Sequence, residues 1–239
     1  MIVRAPKRRP LSATAICVEA LVAYVRHWTM LVPLAIVVLA PQTVGNAIYD
    51  SAEVGGVATL GDVAKLAEIG ATIAINLGGE AIYAGIVAAV VVNWRRGERT
   101  PRLGTLIREI PIVTLIAVDL IVALGSALGV LLFVVPGLVF YALFAIAPAL
   151  IEIRGLGIRA ALATSFRLVR GDFLRVLALV FFVLIFTDAA TAALESPVHG
   201  VQGEVATVLV VHAAVEPFQG LVTVLLAIAL IERHPDRVP

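Results

Sequence analysis

Six stretches of this chain, residues 29–48, 71–93, 110–133, 137–151, 173–194 and 205–231, are almost continuously apolar. A helix needs about 20 such residues to cross a hydrocarbon core about 30 Å thick. Inside that core every backbone group must be satisfied by the segment itself, which leaves helices or a closed barrel. Runs this long, with no polar alternation, predict helices. The expected fold is therefore an all-α polytopic membrane protein with six transmembrane helices. The chain is 61% hydrophobic with a mean hydropathy of +1.03, far from the roughly 45–50% of a globular domain. One membrane domain is expected over 12–232, preceded by a disordered basic segment, 1–11, and followed by a short tail, 233–239.

The net charge of +1 hides a sharp segregation. If the six runs all cross, 17 of the 18 Lys and Arg residues fall on one side, and Lys65 alone falls on the other. Basic loops are retained in the cytoplasm, so the bacterial inner membrane is expected, with both termini cytoplasmic. Asp50, Glu53, Asp62, Glu68, Glu195 and Glu204 take the opposite face. The boundary between the third and fourth runs rests on Pro136-Gly137, a strong turn signal. Without a turn there, later basic groups would be translocated. Glu19, Arg26 and His27 interrupt the first apolar region, so an uncleaved anchor is expected rather than a signal peptide. Cys17 is the only cysteine, which predicts no disulfide and no thiolate cluster.

Between the fourth and fifth runs lies "GIRAALATSFRLVRGDF", residues 157–173. On a helix, Arg159, Ala163, Arg167 and Arg170 share one stripe, and Ile158, Ala161, Leu162, Phe166 and Val169 line another face. This predicts a short amphipathic helix in the cytoplasmic interface, with Arg159, Arg167 and Arg170 among anionic lipid headgroups. The plainer reading is that these arginines only set topology. Two further segments repeat the arrangement, "SATAICVEALVAYVRHW" after a Ser12 cap and "TPRLGTLIREI" after Thr100-Pro101. The expected plan is three hairpins, each preceded by an interfacial helix.

Residues 136–177 carry Pro136-Gly137, Pro148, Glu152, Ala160-Ala161-Leu162, Ser165, Leu168 and Gly171 before an aromatic residue. This set resembles the membrane domain of a bacterial glycerophosphoryl diester phosphodiesterase family and related uncharacterised six-helix membrane proteins. The resemblance implies a membrane domain only, because the long hydrophilic segments of a fused phosphodiesterase barrel, with its metal-binding acids and histidines, are missing. Glu152, near Arg154 in sequence, is expected to pair with Arg154, Arg159 or Arg167 and lock the fourth helix to the amphipathic one.

Charged groups deep in a bilayer cost at least about 2.5 kcal/mol each, yet Glu80, Asp119, Asp188 and Glu216 lie within the runs. Asn76 and Glu80, and His212 and Glu216, are spaced by four and share helix faces. Pro217 frees the Ala213 carbonyl beside Glu216. Two readings stand for this intramembrane cluster, a polar path that handles protons or a cation, or protonated acids that bridge helices. Gly125 and Gly129 form a GxxxG, and Ala81, Gly85 and Ala89 continue a small-residue pattern that allows close helix approach. No catalytic constellation, metal site or cofactor is expected. Expected partners are membrane lipids with anionic headgroups and no nucleic acid; a homo-oligomer or membrane partner stays open. Three function classes follow: a non-enzymatic module in envelope or lipid organisation, a proton- or cation-coupled small transporter, and an intramembrane enzyme.

Overall fold

The computed structural model describes residues 12–51, 83–95, 97, 110–195 and 201–238, and every regular element among them is helical. In chain order these are α1 (Ala13–Ser51), α2 (Tyr83–Arg95), α3 (Ile112–Leu132), α4 (Val134–Phe144), α5 (Ala147–Arg154), α6 (Ile158–Val169), α7 (Phe173–Glu195) and α8 (Val201–Arg233). Short 3-10 turns cover Arg170–Asp172 and Pro235–Arg237. Five helical stretches are long and apolar enough to cross a membrane, and Tyr83–Arg95 is a shorter apolar helix. Large apolar side chains face outward along α3, with Val113 83% and Leu131 82% exposed. Such a surface belongs against lipid rather than water.

Two expected boundaries differ. The break between an interfacial helix and a first span near Thr29 is absent, and α1 runs unbroken from Ala13 to Ser51. Residues 13–32 contain neither Gly nor Pro, so nothing local ends the helix. Ser12 does cap it, its Oγ accepting from the Ala15 amide at 3.3 Å. The turn between the third and fourth runs sits at Phe133, in extended backbone (φ −162°, ψ 147°), not at Pro136-Gly137. Pro136 falls in the first turn of α4, where the amide it lacks has no helical partner to lose.

The two glycines of the GxxxG serve this hairpin. A Cβ on Gly129 would collide with the Gly137 backbone, one on Gly125 with the Phe140 ring, and one on Gly137 with Val130 and the Ser126 carbonyl. The small-residue motif is thus used within the chain, setting α4 antiparallel against α3 at backbone contact.

The fourth run is itself broken at Ala145-Ile146, with Pro148 in the first turn of α5. The break orphans carbonyls at the end of α4. Ser165 of α6 donates to the Leu143 carbonyl at 2.7 Å, so Pro148 and Ser165 are linked by one backbone defect and its repair. Gly155 ends α5 in the left-handed region (φ 64°) and its amide returns to Ile151 O at 2.7 Å. Glycine takes that conformation without a steric cost.

The core is centred on α8, half of whose spanning window is buried. Leu221, Leu225, Leu226 and Leu230 are fully buried there, and α1 brings Ile16, Ala20, Ala23 and Leu31 against it at helical spacing. Pro217 does not interrupt α8. Tyr24 of α1 donates to the Ala214 carbonyl at 2.8 Å, one residue from the carbonyl that Pro217 leaves without its amide.

Candidate functional site

A cavity of about 300 Å³ lies between α2, α3, α4, α5 and α8. Its polar lining comes from Tyr83, Asp119, Tyr141, Glu152, Glu216, Gln219 and Thr223, with Phe144, Pro148, Gly220 and Val224 among the apolar walls. Three carboxyl groups from three helices therefore face one space. Thr223 donates to the Gln219 carbonyl at 3.0 Å, which leaves the hydroxyl oxygen able to accept from within the cavity.

Two further cavities adjoin it. One of about 500 Å³ is lined by Gly85, Ala89, Ile110, Pro111, Thr114, Glu152 and Gly155–Gly157. The other, about 230 Å³, is lined by Thr187, Thr191, His212, Glu216 and Gln219. Glu152 belongs to both the first and second, and Glu216 to both the first and third. The three spaces thus neighbour one another in order, with one carboxyl group lining both members of each adjacent pair. From His212 to the Arg233 end of α8 is 21 residues, or about 30 Å of helix, comparable with a bilayer core. His212 Nδ1 stands 3.7 Å from Glu216 Oε1, with both side chains about two-fifths exposed.

The sequence-predicted residues fall into three groups. Asp119 and Glu216 meet in the central cavity, and His212 joins Glu216 from the neighbouring one. Asn76 and Glu80 lie outside the described residues; Asp188 lies on α7, its side chain outside what is described. Glu152 departs from expectation. It forms no ion pair with Arg154, Arg159 or Arg167, and its Oε1 is buried without a hydrogen-bond partner among the described residues. Gly85 makes room for it, since a Cβ there would approach Glu152 Oε1 to 2.9 Å. The cavity role of Glu152 was masked in the sequence by its nearness to Arg154.

The arginine-rich end is held by two ionic clusters. Arg95 of α2 grips Glu19 of α1 through Nε and Nη2 at 2.8 and 2.9 Å, and Nη1 reaches Glu232 of α8 at 2.9 Å. Asp172, only 5% exposed at its side chain, receives Arg175 at 2.9 Å, Arg233 at 3.0 Å and His234 at 3.2 Å. Arg237 donates to the Arg167 carbonyl at 2.9 Å, and a Cβ on Gly171 would overlap its guanidinium. Arg159, Arg167 and Arg170 are exposed, while Ala161, Thr164, Ser165, Leu168 and Val169 are buried against the protein.

Among the described residues no three His, Cys, Asp or Glu side chains are grouped to hold a metal ion. No family model, no curated protein and no solved structure matches this chain. The resemblance read in residues 136–177 therefore rests on those residues alone.

Proposed function

We propose that this protein is a non-enzymatic, six-span protein of the bacterial inner membrane that moves protons, or a small cation coupled to them, along the chain of cavities joined by Glu152 and Glu216. The observation that carries the reading is the sharing of each carboxyl group by two adjacent spaces. Ionisable groups at membrane depth are costly, and where they line a connected interior they serve relays in pumps and transporters. Tyr83, Tyr141, Gln219 and Thr223 supply hydroxyl and amide groups to the cavity that both carboxyls line, and these can donate and accept in turn. The orientation, with both termini cytoplasmic, is supported by the basic residues gathered at one end of the spans.

Proteoliposomes containing an interior pH-sensitive dye test this reading. Proton entry under an imposed potential should exceed that of empty vesicles, and Glu152→Gln and Glu216→Gln should each reduce it by about a hundredfold or more, the range that one proton-transfer group covers. Glu232→Gln, at the exposed ionic cluster, should leave flux unchanged. Wild-type flux in the Glu152→Gln, Glu216→Gln double variant would remove the path. A second reading, a module in envelope or lipid organisation, is favoured by the exposed arginines of α6.

A further inference from the structure

We infer that the corner where α6 passes into α7 binds the phosphate of an anionic phospholipid, using the guanidinium groups of Arg167 and Arg170 and completed by Arg237 from the far end of the chain. This inference is independent of whether the cavities conduct.

The corner is unbalanced in charge for a structural reason. Asp172, the carboxylate of the corner itself, is turned inward, where Arg175, Arg233 and His234 compensate it. It contributes nothing to the outer face. Arg167 and Arg170 are exposed there and Arg237 is partly so, and none of the three pairs with a carboxylate among the described residues. Asp236, exposed beside Arg237, is the one acid adjoining them in sequence. Arg167 is pinned to its own helix, Nε donating to Ala163 O at 3.3 Å and Nη2 to Thr164 Oγ1 at 3.2 Å. Arg237 is anchored by its bond to the Arg167 carbonyl and by the space that Gly171 leaves. Two of the three donors are thus pre-positioned, which lowers the ordering cost of gripping an anion. Planar guanidinium groups match phosphate oxygens in bidentate fashion.

The surroundings choose a lipid over a free anion. Phe166 and Leu174 flank Arg170 one turn to either side and are 39% and 76% exposed. Phe166 is held by stacking on Phe144, ring centroids 6.4 Å apart. A cation between two outward apolar groups, at the point where the arginine-bearing helix gives way to the apolar α7, matches a headgroup above its acyl chains.

Native mass spectrometry of the full-length protein in detergent tests the site. Phosphatidylglycerol should be retained in preference to phosphatidylcholine. Arg170→Gln should weaken phosphatidylglycerol binding about fivefold, and the Arg170→Gln, Arg237→Gln pair by about fivefold for each guanidinium removed. Among the described residues the exposed Arg170 side chain makes no hydrogen bond or ion pair, so the single variant reads binding rather than folding. Equal retention of both lipids, or wild-type affinity in Arg170→Gln, would overturn the site. Displacement of phosphatidylglycerol by inorganic phosphate at millimolar concentration would overturn the lipid assignment.

Discussion

Asp172 and Arg95 show how differently two ionic clusters at one end of a helix bundle act. Asp172 is enclosed, and three basic side chains converge on its two oxygens. Removing one member of a buried ionic group strands the others, at a cost of about 3–5 kcal/mol. Arg95 is partly open, 27% exposed at its side chain, with its partners Glu19 and Glu232 one-third and two-thirds exposed, and pairs that water reaches are worth about 0–1 kcal/mol each. Asp172→Asn should therefore lower unfolding stability in mixed micelles by several times the loss in Arg95→Gln. Equal losses would mean that the enclosed cluster is not what fastens the C-terminal segment. Neither Asp172 nor Glu152 could be read correctly from local pattern. The partners of Asp172 include Arg233 and His234, about 60 positions later in the chain, at a separation no periodicity encodes. Glu152 stands two residues from Arg154, and helical positions two apart do not face each other. Its carboxyl is carried toward the interior while Arg154 is exposed. By contrast, Asp119, His212 and Glu216 were legible because a charged side chain inside an apolar run is conspicuous by its cost.

At the level of elements, hydrophobic length identified where helices lie but not where they join. The run from 110 to 151 contains no polar loop, and its turn is decided by one extended residue, Phe133, together with the close approach of Gly129 and Gly137. A sequence displays the Pro-Gly pair more plainly than Phe133, the residue just before the helix whose first turn holds Pro136. The same holds at Asp172, where α6 and α7 are joined by a 3-10 turn rather than a loop. The glycine contact gives the hairpin a sharp test. Leucine at Gly129 would have to displace the Gly137 backbone, and at Gly137 the Val130 side chain together with the backbone of Val130 and Ser126, so the cost should reach or exceed the 1–3 kcal/mol typical of overpacking. Gly157→Leu is the matched control, since nothing lies within 4 Å of a Cβ there. Expression and unfolding midpoint should fall for the first two variants and hold for the third. Comparable behaviour of all three would show that α3 and α4 do not depend on backbone contact.

Over the whole molecule, charge is what sets the expected orientation, and the structure adds a reason why the charges stay together. Glu19, Arg95 and Glu232 join α1, α2 and α8 at the same end at which Asp172, Arg233 and His234 join α7 and α8. An inverted insertion would have to carry this entire end through the bilayer, and translocating several arginines is what the insertion machinery resists most strongly. Arg95, Arg154, Arg167, Arg170, Arg175 and Arg233 should therefore face the cytoplasm together. In a Cys17→Ser background, single cysteines at Gly97, Gly157 and Asp236 should resist a membrane-impermeant thiol reagent in intact cells and react once the membrane is opened. Cysteines at Asp62 and Gly200 should react from outside without permeabilisation. Gly157 is the most informative position, because it lies at the exposed start of α6 with open space around it, so failure to label cannot be blamed on burial. External reaction at Gly157 would place α6 and its arginines outside, and would remove both the six-span orientation and the setting in which Glu152 and Glu216 could link one side of the membrane to the other.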